Sequence, residues 1–219
     1  MRAILDFLLP TRCANCSCLG SPVCASCELG FTFELHDFIR DAISGVAASN
    51  YGVVEQSLIR QFKENGQTSL APYLAKPLID PLRQMTERRS ANFQGSKPWL
   101  VTIPSSRSNY LKRGFMPAAI LANRLNALSG RPCLRFDGLK MLRQTADQAR
   151  LSSQSREENL RGSMIGHPQM SGQQVILFDD VVTTGATLKE GSRALKEVGA
   201  EILGCLVFSE TILKTQTKT

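Results

Sequence analysis

Two places in the chain carry residues whose types and spacing could do chemistry. In "VILFDDVVTTGATLKEG", residues 175 to 191, an apolar run ends in Asp179 and Asp180, followed by Thr183, Thr184, Gly185, Ala186 and Thr187. Paired carboxylates accept hydrogen bonds from alcohols, and the vicinal hydroxyls of a ribose suit them. The small-residue turn then enters a helix, whose free amides and dipole favour a phosphate. Carboxylates repel phosphate, so the two features address different parts of one ligand. A diol and a phosphate one loop apart describe a ribose 5-phosphate. The second place is "CANCSCLGSPVCASC". Here Cys13 and Cys16 form one C-x-x-C pair, and Cys24 and Cys27 form another. Two such turns back to back give a four-thiolate site for structural zinc. Cys18 is a spare thiol, and His36 lies nine residues past Cys27. No open coordination position for a catalytic metal is expected.

Blander readings compete with both. A single aspartate could cap the following helix, but one cap uses one residue and leaves the second carboxylate and the TTGAT run without a role. An apolar strand ending in aspartates also serves magnesium in P-loop ATPases, yet the chain lacks G-x-x-x-x-G-K-[ST]. The cysteines could be buried thiols or a redox pair. Their odd total of seven, without a signal peptide, argues against a disulfide framework. "MRAILDFLLP" is interrupted by Asp6 and reads as a short amphipathic helix. No apolar run reaches the roughly 18 residues of a membrane helix, so no integral membrane segment is expected. The expected location is the cytoplasm, with peripheral attachment at the inner membrane left open.

The elements that must position these residues are legible in outline. "VVEQSLIRQFKE" puts Val54, Leu58, Ile59 and Phe62 on one helical face, and a second helix is expected through "SLAPYLAKPLIDPLRQM". "WLVTIP" reads as a buried strand. A helix starting at Pro117 carries Leu121, Leu125 and Leu128. "VILF" is a strand, the helix after it ends at Gly199, and "EILGCLVFS" is a last strand. Apolar strands alternating with amphipathic helices imply an α/β fold with a parallel sheet covered on both faces. The expected division is a cysteine module over residues 1–45 and an α/β domain over 46–219.

"VILFDDVVTTGAT" resembles the phosphoribosyl-pyrophosphate (PRPP) binding motif of type I phosphoribosyltransferases. With the paired cysteines, "LIRQFKENG", "IPSSRSNYLKRGF" and "RQTADQARLSSQSREENLRGS", nearly the whole chain resembles the ComF family of competence proteins. In the last segment Thr145, Gln148, Leu151, Arg156 and Asn159 match the family's pattern. The chain departs from its relatives at Ser105, Ser106 and Met116. The resemblance implies a type I phosphoribosyltransferase-like sheet, PRPP or a nucleoside 5′-phosphate as ligand, and Mg2+ accompanying PRPP. It implies a pyrophosphate loop at Ser105, Ser106 and Arg107, with Lys112 or Arg113 nearby, and a closing flap over residues 143 to 161. No base-selecting hood and no general base is evident. Three functions are therefore carried forward: handling of incoming single-stranded DNA in natural transformation, with other competence proteins as partners; an active phosphoribosyltransferase in nucleotide salvage or use of DNA as nutrient; or a purely structural adaptor.

Charge points to the first. Residues 83 to 161 hold 15 Lys or Arg against five Asp or Glu, a net +10 in a chain of net +7. A pyrophosphate pocket uses two or three of these, and the excess is the footprint of a polyanion. Lys112, Arg113, Arg143, Arg150 and Arg156 are the expected DNA contacts.

Overall fold

The computed structural model describes residues 11–31, 33–40, 43–90, 97–135, 137–143 and 158–211, with the backbone alone for 88–90. The helices are α1 (Ala25–Gly30), α2 (Val53–Lys63), α3 (Ala71–Ala75), α4 (Ile79–Ser90), α5 (Arg107–Arg113), α6 (Pro117–Leu128) and α7 (Ala186–Glu197). The strands are β1 (His36–Arg40), β2 (Ile43–Asn50), β3 (Trp99–Thr102), β4 (Leu134–Arg135), β5 (Leu139–Met141), β6 (Met164–Gly166), β7 (Gln174–Val182) and β8 (Glu201–Glu210).

Six strands form the main sheet in the order β1-β2-β8-β7-β3-β4. All neighbours are parallel except β1 and β2. From β3 the chain crosses through α6 to β4, and from β7 it crosses through α7 to β8 on the other side. The gap between β3 and β7 is thus the point where the winding reverses. Ligands of open α/β sheets bind there, outside the carboxyl ends of the strands.

Two apolar layers cover the sheet. On one side Ile176, Phe178, Leu206 and Phe208 pack against Leu58, Ile59 and Phe62 of α2, Leu74 of α3 and Leu121 and Leu125 of α6. On the other, Val175, Leu177, Cys205 and Val207 pack against Leu188 and Leu195 of α7. Of the three leucines spaced along α6, Leu121 and Leu125 are buried and Leu128 lies at the surface.

The long helix expected over residues 69 to 85 is broken. Short 3-10 turns at Thr68–Leu70 and Lys76–Leu78 separate α3 from its flanking helices. Pro72 and Pro77 start new turns, because proline lacks the amide and collides with the carbonyl one turn back.

The hairpin β1–β2 was not expected, and the boundary at residue 45 falls inside β2. Nor does the cysteine module stand apart. Ala14 and Val23 belong to the same apolar cluster as α2. Ser57 Oγ donates to the Ala14 carbonyl at 2.9 Å, and Gln67 Nε2 donates to the Arg12 carbonyl at 2.7 Å. No helix among the described residues is long and apolar enough to cross a membrane.

Candidate functional site

The two loops singled out in the sequence meet at the reversal point. Thr102 of β3 lies opposite Phe178 of β7, and the Ile103 amide donates to the Phe178 carbonyl at 2.9 Å. Residues 104 to 106 therefore leave β3 beside Asp179 and Asp180. Both aspartates lie within β7, near its end. A regular strand would send consecutive side chains to opposite faces. Here the alternation is interrupted: Phe178 and Val181 pack on one layer, Leu177 and Val182 on the other.

Their surroundings differ. Asp180 is buried, and its Oδ1 takes the Lys63 ammonium at 2.6 Å. Asp179 is half-buried, and its Oδ1 accepts from the Asp180 amide at 2.8 Å. Burial and the charge of Asp180 push the Asp179 carboxyl up to about 8, against the pull of Lys63. Burial works against the Lys63 ammonium too, but Asp180 and Asp179 together outweigh it and raise its pKa. Lys63 is the site residue that the sequence did not single out; its only signal was membership of "LIRQFKENG".

After β7, Gly185 sits at the N-cap of α7 with φ +85°, a left-handed conformation that glycine adopts without strain. A Cβ at this position would come within 2.6 Å of Arg40 Cβ, so the turn lies directly against β1. Thr184 Oγ1 accepts from the Ala186 amide at 3.4 Å. Thr183, Thr184 and Thr187 are half-buried, while Ala186 is buried. On β1, Arg40 pairs with the buried Glu210 at the end of β8, and His36 Nε2 lies 2.9 Å from the same carboxylate. This cluster fixes the wall against which the glycine turn rests.

Of the expected pyrophosphate loop, Ser105 and Ser106 are half-buried and Arg107 is exposed. Ser106 caps α5, accepting from the Asn109 amide at 3.3 Å. Lys112 and Arg113 both pair with Glu64, Lys112 at 2.9 Å. The hydrogen bond from Lys112, joined by Arg113 against the effect of burial, holds the Glu64 carboxyl below its ordinary range. The last residue of α2 and its C-cap thus reach both loops: Lys63 the acid pair, and Glu64 the helix that begins at Arg107.

Among the described residues, the basic side chains of this stretch lie at separate places. Arg107, Lys112 and Arg113 follow β3 at its carboxyl end, whereas Lys97 and Arg131 precede β3 and β4 at the opposite end, where Lys97 donates to the Arg131 carbonyl at 2.8 Å. Arg135 is turned inward to Asn123 and the Leu100 carbonyl. Arg143 donates to the Asn159 and Arg161 carbonyls at 3.0 and 3.1 Å, tying the two ends of residues 143 to 161 together. Arg150 and Arg156, and most of the expected flap, lie outside the described residues.

The sulfurs of Cys13, Cys16, Cys24 and Cys27 all lie within 4.8 Å of one another, with Cys16 and Cys24 at 3.6 Å. A zinc tetrahedron with bonds of about 2.3 Å has edges of about 3.8 Å, so the cluster fits this metal. Burial opposes ionisation of Cys13, but amide donors from Cys16, Cys24 and Asn15 outweigh it and lower the thiol to about 6. Cys18 is not one of the four, but its thiol lies against them, and hydrogen bonds with Cys16 and Cys24 push it up to about 12.

A reversal point flanked by an acid pair and a glycine turn into a helix defines a phosphoribosyltransferase-type fold. The family described as "Phosphoribosyl transferase domain" matches residues 74–217, well over half of the chain. Among curated proteins, the chain is 29% identical to "DNA utilization protein YhgH" of Salmonella typhimurium over 71% of its length and 66% of that protein. It is 27% identical to "Competence protein F" of Haemophilus influenzae over 66% of this chain and 62% of that one. A match to "Competence protein ComFC" of Bacillus subtilis reaches 35% over 46% of this chain and 39% of the relative. The chain thus spans just under two thirds of the length of the first two relatives. It belongs to the phosphoribosyl transferase domain family and, within it, to the ComF family.

Proposed function

We propose that this protein binds a ribose 5-phosphate unit, as PRPP or a nucleoside 5′-phosphate, and handles incoming single-stranded DNA during natural transformation. The observation that carries the ligand is the convergence of Asp179, Asp180 and the Gly185 turn beside the end of β3. The carboxylates take the ribose hydroxyls, and the amides and threonines at the start of α7 take the 5′-phosphate. Ser105, Ser106 and Arg107 face the anomeric side, where a diphosphate would lie. Among the described residues the only cluster of three or more candidate metal ligands is the cysteine group. Mg2+ would therefore arrive with the diphosphate of PRPP rather than in a carboxylate cage. Zinc at the four cysteines is structural in this reading.

The DNA role rests on the basic balance of residues 83 to 161 and on the names of the relatives, which speak of competence and DNA utilization. The test has two arms. Calorimetry with PRPP and ribose 5-phosphate should show binding that weakens when both aspartates become asparagine; equal affinity would place the ligand elsewhere. A deletion strain, scored separately for DNA uptake and for transformation, should lose transformants while still taking DNA up. Release of pyrophosphate from PRPP with one of a panel of bases would instead favour the transferase.

A further inference from the structure

An acid pair is a poor host for a polyanion. PRPP carries a phosphate at one end of its ribose and a diphosphate at the other, both close to the hydroxyls that Asp179 and Asp180 would hold. Among the described residues, Lys63 is the cation paired with the acid pair. Lys63 Nζ sits 2.6 Å from Asp180 Oδ1, and both side chains are largely buried, with 21% and 8% of their surface exposed. The ammonium feels Asp179 as well as Asp180.

The approach of Lys63 is fixed by its neighbours. It ends α2, whose Leu58, Ile59 and Phe62 are anchored in the core. The next residue, Glu64, grips Lys112 and Arg113 at the end of α5, the helix that begins at Arg107 of the expected diphosphate loop. Lys63 thus meets the acid pair while the residue beside it grips the helix that begins at Arg107.

We propose that Lys63 is the counter-ion that admits a polyanionic sugar phosphate to the acid pair, and that it sets the preference for a ribose with an anomeric diphosphate over ribose 5-phosphate alone. The inference rests on the ribose-phosphate reading of the site. Lys63 cancels the charge of Asp180, leaving the hydroxyl-accepting lone pairs of the carboxylate in a locally neutral setting. A carboxylate has about four acceptor positions, so one ammonium does not exhaust it. A ligand with more negative charge next to the ribose depends more heavily on that cancellation.

The experiment measures PRPP and ribose 5-phosphate binding at fixed, saturating magnesium in the full chain. Lys63→Gln keeps a donor for Asp180 and removes the charge. It should weaken PRPP by about tenfold, the scale of one lost charge-assisted contact, and ribose 5-phosphate far less. Lys63→Arg should retain the preference. Adding Asp180→Asn to Lys63→Gln removes both buried charges, which guards against a variant that fails to fold. It should lower affinity for both ligands while restoring their ratio. Equal losses of both ligands in Lys63→Gln would make the lysine a positioning residue only and overturn the inference. Tighter binding would mark it as a competitor of the sugar and overturn it equally. Wild-type protein that binds neither ligand would defeat the underlying reading of the site, a result distinct from both.

Discussion

Asp179 and Asp180 are adjacent in sequence but face different electrostatic conditions. Asp180 has the ammonium, whereas burial and its neighbour's charge push Asp179 up to about 8. An acid whose folded pKa lies above its unfolded value of about 3.9 binds its proton more tightly in the native state. Its contribution to stability therefore falls as pH rises from about 4 to about 8. Thermal midpoints of the ligand-free protein across this window should decline less in Asp179→Asn than in the wild type; parallel curves would show that Asp179 ionises normally. Gly185 calls for a different probe. Its positive φ and the closeness of Arg40 mean that Gly185→Val strains the fold as well as the phosphate turn. Thr184→Ala and Thr187→Ala leave the backbone free, and should weaken ribose 5-phosphate binding by several-fold with little change in unfolding temperature.

At the scale of elements, α2 joins the cysteine module to the candidate site. Ser57 within this helix and Gln67 just beyond it hold the module's backbone, while Lys63 and Glu64 address the two loops. The purified protein should contain about one zinc per chain, the stoichiometry of a single four-thiolate site. Chelation, or Cys13→Ser or Cys27→Ser, should release the metal and speed amide exchange in Val53–Lys63 more than in α7. Unchanged exchange in α2 would uncouple the module from the site. Glu64→Gln should loosen α5 without unfolding the sheet. Because the Glu64 pKa is lowered in the fold, its contribution is present above the unfolded value and lost as pH falls through the folded one. Elements with strong apolar periodicity, such as α2 and β7, were legible in the sequence. β2 was not, because it packs through small residues: Ala47 and Ala48 are fully buried, and a Cβ on Gly45 would meet Cys205 Sγ at 2.4 Å. The acid pair and glycine turn could be read from local order alone. Lys63 could not, since only the tertiary docking of α2 brings it to Asp180.

At the scale of the molecule, the described part of a charge run contiguous in sequence is divided between the two ends of the sheet. Single-stranded DNA should bind with affinity that falls with log salt at about 0.7 per phosphate contact. Neutralising Arg143, Arg150 and Arg156 should flatten that slope by roughly two units if all three touch phosphate. Arg193 is unsuitable in a control set, because its guanidinium joins the buried Glu190 and the Met164 carbonyl to hold β6 on α7. The exposed Arg60, Lys189 and Lys196 serve instead, and their loss should leave the slope nearly unchanged; equal slopes for the two sets would exclude the basic stretch as the DNA surface. The strand order has a consequence for assembly in time. β2 is flanked by β1 and by β8, so residues 43–50 find their parallel partner only when residues 201–210 have been synthesised. Phe208 and Leu206 of that late strand also floor the layer on which α2 rests. During translation the helix bearing Lys63 therefore waits, with Leu58 and Phe62 uncovered, until nearly all of this chain has emerged. A nascent chain halted before Glu201 should capture a hydrophobic dye that the finished protein ignores, and Trp99, the single tryptophan, should report β3 joining β7 before α2 closes.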